Sequence, residues 1–93
     1  MIITKTKITT RLARGQLLEG WIDRVDIATR RLHVRTGSRD TVGVCVSVPE
    51  ECEIRHAEYH LALQSLLPCD AVNIRYLVDE QGAWIAQNVE LDG

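Results

Sequence analysis

Four valines at alternate positions, Val42, Val44, Val46 and Val48, constrain this chain more than any other feature. A period of two is the repeat of a β-strand, whose successive side chains point to opposite faces. The run therefore predicts a strand with its valines inward and Thr41, Gly43, Cys45 and Ser47 outward. Pro49 stops it, having no N–H to donate to a neighbour. A similar rhythm returns in 17–27, in 31–36 with Leu32 and Val34 inward, in 71–78 through Val72, Ile74, Tyr76 and Val78, and in 83–91 through Ile85, Val89 and Leu91. Polar turns at 28–30, 37–40 and 79–82 separate several of these runs, so the sequence predicts a mainly β domain of five short strands.

The first strand carries one irregularity. Leu18, Gly20 and Ile22 share a face, but Val25 and Ile27 join it only after a one-residue slip near Asp23-Arg24. A β-bulge supplies that slip, and barrels use bulges and glycines to bend a long strand around a corner. Between Pro49 and Pro68 the pattern changes. Cys52-Glu53-Ile54 suits a last piece of strand, while 57–67 suits about three helical turns or a loop, with Leu63, Leu66 and Leu67 plugging the barrel's end. Residues 1–16 read as an N-terminal arm or edge strand, and 17–93 as the barrel domain.

Ninety-three residues give room for one core. No apolar stretch nears the roughly 20 residues of a membrane span, and Met1-Ile2-Ile3-Thr4-Lys5-Thr6-Lys7 lacks a secretory h-region, so a cytoplasmic location is expected. Cys45, Cys52 and Cys69 cannot all pair and form no CxxC, which points to reduced thiols. Phenylalanine is absent, so aliphatic side chains must fill the core.

Order and rhythm together resemble the OB-fold superfamily of small five-stranded β-barrels. The resemblance covers about residues 17–91 and rests on Gly20-x-Ile22 in the first strand and Leu66-x-Pro68-Cys69-Asp70-x-Val72 leading into the fourth. Small OB domains often place a leucine two or three residues before Gly-Asp-x-Val there; this chain has Cys69 where glycine is usual. The resemblance implies a barrel with a short helix or loop between strands three and four. It also implies a binding face on strands two and three, used in such barrels for oligonucleotides, sugars or proteins. The rhythm is similar, too, to small periplasmic copper-binding OB proteins, whose methionine ligands this chain lacks, Met1 being its only methionine.

On the implied face lie Arg31, His33 and Arg35, flanked by Trp21 and by Arg39 in the loop. Arginines reach phosphates and an aromatic ring stacks on a base, so the expected function is a non-enzymatic module with weak, salt-sensitive single-stranded nucleic-acid binding. The alternative is a protein-docking module or homo-oligomer. Residues 1–46 hold nine bases against four acids, and 47–93 hold two bases against nine acids, so opposite halves of two copies could attract. No cofactor is expected. Only Cys52-x3-His56-x3-His60 has a metal-like spacing, which would need a helix to align it. No phosphate loop or nucleophile motif is present, so no enzyme activity is expected; Cys45 opposite His33 on neighbouring strands is the one conceivable reactive pair.

Overall fold

The computed structural model describes residues 15–37 and 41–92. Its elements are β1 (Gln16–Asp26), β2 (Arg31–Thr36), β3 (Val42–Ser47), β4 (Glu53–His56), β5 (Tyr59–His60), a 3₁₀ turn (Leu63–Ser65), β6 (Ala71–Val78) and β7 (Trp84–Leu91). The strands follow the order β3-β2-β1-β6-β7-β4-β5, and an additional β3–β7 pairing closes five of them into a barrel, with β4 and β5 as two extra strands. The mainly β, five-stranded OB-like architecture expected from the alternation is therefore the observed one. Closure is short and parallel: Val46 pairs with Trp84, and Ser47 with Ile85.

β1 is shared by both halves of the barrel. Its first half pairs with β6 from Gln16 to Trp21, and its second half pairs with β2 from Trp21 to Asp26. The predicted slip is present: Ile22 faces Val34 and Arg24 faces His33, leaving Asp23 as the extra residue. At the corner, a Cβ on Gly20 would run into the Arg35 carbonyl oxygen, so the backbones approach as only glycine permits.

The core is aliphatic. Ile22, Leu32, Val34, Val46, Val48, Ile74 and Val89 are fully buried, each burial contributing about 1.5–3 kcal/mol. Several inward assignments differ from the sequence pattern. Val42 is exposed because it stands at the outer end of β3, opposite Thr36 and beyond the stretch that meets β7. Val78 is exposed at the end of β6, and Ile27 lies past β1 in the turn. In β7, a register shift skips Gln87, because Arg75 faces Asn88 while Tyr76 faces Ala86. Ala86 and Val89 are consequently the buried pair, and Ile85 is only half-buried.

No helix forms over 57–67. Ala57 takes a left-handed φ of 56° in a tight turn that folds β5 back on β4, and the Leu61 N–H donates to the Ile54 carbonyl. Leu63 and Leu66 still enter the core, because a spacing of three serves a 3₁₀ turn as well as a helix; Leu67 stays exposed. Cys52-Glu53-Ile54 does become strand in part: β4 runs parallel to the second half of β7. Residues 1–14 of the expected arm lie outside the described residues, and Gln16 already opens β1.

Leu67-Pro68-Cys69-Asp70 forms a hydrogen-bonded turn with Cys69 at φ 76°, the place where a type II turn prefers glycine. Cysteine thus occupies the glycine conformation instead of abolishing the turn, and the Cys69 N–H donates to the Ile22 carbonyl. A left-handed conformation costs a residue with a Cβ about 1–2 kcal/mol. Cys69→Gly should therefore stabilise the fold by about 0.5–1 kcal/mol after the glycine entropy is subtracted, read as a higher urea midpoint at unchanged slope. Gly20→Ala should destabilise it by about 2–3 kcal/mol in the same measurement; a neutral result would show that β1 can move away from Arg35.

Candidate functional site

The outer face of β1, β2 and β3 carries three rows of side chains set by the antiparallel registers. Trp21 faces Arg35, which faces Gly43; Arg24 faces His33, which faces Cys45; Asp26 faces Arg31, which faces Ser47. The bulge at Asp23 brings Arg24 into line with His33. Arg24 Nη2 lies 3.1 Å from His33 Nε2. Since a guanidinium only donates, the imidazole nitrogen accepts.

The other charges on this face are largely engaged. Arg35 Nε lies 3.6 Å from Asp23 Oδ1, a half-exposed pair. Hydrogen bonds from Thr29, with the nearby Arg24 and His33 as weaker contributors, hold the Asp26 carboxyl below its usual range; one of them is from the Thr29 N–H at 3.3 Å. Arg30, at φ 54°, turns inward to donate from Nε to the Val48 carbonyl at 2.7 Å, pinning the β1–β2 turn to the end of β3.

Beside Cys45 the sheet opens into a cleft of about 430 Å³ between β3 and the start of β7, lined by Arg31, Cys45, Ser47 and Trp84 among others. The Trp84 indole stacks on Tyr76 with centroids 4.2 Å apart and planes 9° from parallel. The Tyr76 hydroxyl donates to Gln16 Oε1 at 3.1 Å. Trp84 is thus a fixed aromatic wall for the cleft. Arg24 and Trp84 are the site residues that sequence parity does not identify, because one depends on the bulge and the other on a parallel register between strands far apart in sequence.

Of the sequence-derived candidates, Trp21, Arg31, His33 and Arg35 do share one face, whereas Arg39 lies outside the described residues. Cys52, His56 and His60 are not brought together. Without a helix they spread along the β4–β5 hairpin: Cys52 is buried before β4, His56 is exposed at its end, and His60 pairs with Arg55 on the opposite face with Nδ1 3.9 Å from Glu53 Oε2. Among the described residues no group of three or more His, Cys, Asp or Glu side chains is placed to hold a metal ion. Burial also pushes the Cys52 thiol up to about 11, whereas Cys45 and Cys69 are exposed.

No protein-family model matches the sequence. No curated protein matches it either. Two solved structures share the fold. A copper(II)-bound single-substitution variant of CusF from Escherichia coli superposes with a TM-score of 0.61 at 7% identity, covering 84% of this chain and 94% of that one. Silver(I)-bound CusF gives 0.60 at 8% identity, covering 83% and 99%. At such identities the likeness concerns the barrel.

These findings overturn the expectation of nucleic-acid binding as the function of this chain. Both neighbours are described with a metal ion, and the described part of the face is not a free basic stacking surface. Arg35 is tied to Asp23, His33 to Arg24, and Trp21 is half-buried. The alternative of a docking module or a dimer joined through acidic and basic halves likewise gains no support, nor does the cytoplasmic expectation. The thiols give a direct test of the geometry. At pH 7.5 a small alkylating reagent should modify Cys45 and Cys69 in the native protein and Cys52 only after unfolding, as read by peptide mass spectrometry; native labelling of Cys52 at a comparable rate would contradict its burial.

Proposed function

We propose that this chain is a binding protein, not an enzyme, for a soft monovalent metal ion, held between the Cys45 thiolate and the His33 imidazole. The observation that carries the reading is the direct cross-strand pairing of His33 with Cys45 on the exposed face. Residues opposite each other in an antiparallel pair have Cβ atoms about 4.5–5.5 Å apart, a span that one ion bonded to sulfur and nitrogen can bridge. Support also comes from the barrel's likeness to structures described with copper(II) and silver(I).

The donor set selects the ion. Thiolate is a soft ligand suited to Cu(I), and imidazole also serves copper. Zinc prefers four protein donors in a structural site and three with a water in a catalytic one, and no such group is assembled among the described residues. A monovalent d¹⁰ ion is satisfied by two. The methionine ligands implied by the resemblance to copper-binding barrels are not needed for this arrangement, in which Cys45 supplies the sulfur.

Exposed ligands also favour exchange. An ion held at the surface can be taken by an incoming thiol or imidazole without opening the core, which suits capture and hand-off better than permanent storage. The test uses Ag(I) in nitrate buffer, with Cys69→Ser removing the other exposed thiol. One ion per chain is expected by native mass spectrometry. Cys45→Ser should abolish that binding, and His33→Ala should weaken it at least about tenfold, or 1.4 kcal/mol. Unchanged affinity in either variant would refute the site.

A further inference from the structure

We propose that Arg24 gates the His33–Cys45 pair, filling the imidazole lone pair until a soft metal ion displaces it. This inference rests on the metal-binding reading above and adds a residue that tunes affinity without binding the ion. Its starting point is the 3.1 Å approach of Arg24 Nη2 to His33 Nε2. Arginine has donors and no acceptor, so Nε2 is the accepting nitrogen and the ring proton sits on Nδ1. A metal ion needs an imidazole lone pair. In this tautomer the ring has one, and Arg24 occupies it.

Register adds a second constraint. Arg24 on β1 and Cys45 on β3 flank His33 from opposite sides. The nitrogen turned toward Arg24 is therefore turned away from Cys45, and capture of an ion between His33 and Cys45 requires Arg24 to release the ring and the ring to rotate. The neighbouring carboxylates compete only weakly for Arg24: Asp23 is paired with Arg35, and Asp26 is held chiefly by Thr29, with Arg24 a lesser contributor. A permanently charged guanidinium at this position also repels an arriving cation, an effect that dissolved salt screens at an exposed site. Both contributions lower affinity, and both favour release by letting Arg24 return to the ring.

The experiment compares Arg24, Arg24→Lys and Arg24→Ala in the Cys69→Ser chain. Without metal, long-range ¹H–¹⁵N spectra should show His33 with its proton on Nδ1, and Arg24→Ala should shift the ring toward the Nε2–H form. In Ag(I) titrations Arg24→Ala should bind about tenfold more tightly, the worth of one charge-assisted hydrogen bond. Arg24→Lys, which keeps the charge and loses the fork, should fall between. Raising sodium nitrate should strengthen binding more in the Arg24 chain than in Arg24→Ala. Equal or weaker binding by Arg24→Ala, with His33 and Cys45 still required, would overturn the gate and leave the metal site standing. Binding indifferent to His33 and Cys45 would overturn both.

Discussion

The bend in β1 is the constraint on which the barrel and its outer face both depend. One strand must pair with β6 through its first half and with β2 through its second, so its direction has to change within a few residues around Trp21. Gly20 permits the close approach to the Arg35 carbonyl, and the extra residue at Asp23 restores inward parity for Val25. Thr36 Oγ1 then donates to the Glu19 carbonyl at 2.8 Å, tying the far end of β2 to the same corner. Moving the bulge by one residue would exchange Asp23 and Arg24 in the row that crosses His33. A carboxylate would then face the imidazole in place of a guanidinium, so the chemistry of the face is set by backbone geometry before any ligand arrives.

Barrel closure imposes the second constraint. β3 meets β7 over only two residue pairs, after which β4 takes its place along the rest of β7. Pro49 lies at that handover, where the chain leaves one strand before rejoining the sheet. The short overlap leaves the earlier part of β3 without a β7 partner, and the cleft beside Cys45 and Trp84 occupies the opening. The cleft is thus a consequence of how the sheet closes.

Much of this was legible in the sequence. The bounds of β2 and β6 follow from unbroken alternation, and the β1 bulge shows itself as the step from Ile22 to Val25. The bulge at Gln87 leaves no such mark, because Ile85, Val89 and Leu91 already share the parity of an uninterrupted strand. Leucines three apart at 63 and 66 fit a helix and a 3₁₀ turn equally, and only the left-handed Ala57 decides for a hairpin before them. At the site, the pairing of His33 with Cys45 could be reached by counting outward residues on adjoining strands. The Arg24 contact, the Arg35–Asp23 pair and the Trp84 wall required registers that counting along the chain does not supply. The basic character of the face was visible, but not the internal pairing that occupies much of it.

On the proposed metal-binding reading, charge bears on which class of cation this arginine-rich face would suit. Among the described residues the charges are unevenly placed: Arg24, Arg31 and Arg35 lie on β1 and β2, whereas Glu53 and Glu90 lie on β4 and β7, around Arg55. On that reading a cation approaching Cys45 would meet net positive surroundings, tempered by Asp23 and Asp26. Coulomb repulsion scales with the charge of the ion, so a divalent cation encounters twice the opposition met by a monovalent one at the same distance. A divalent ion normally overcomes such opposition with several anionic ligands, and here Cys45 would be joined by no free carboxylate, Asp23 being paired with Arg35 and Asp26 with Thr29. A monovalent soft ion faces half the repulsion and gains most from sulfur. In the proposed site the same arginines would sharpen the selection made by the donor atoms.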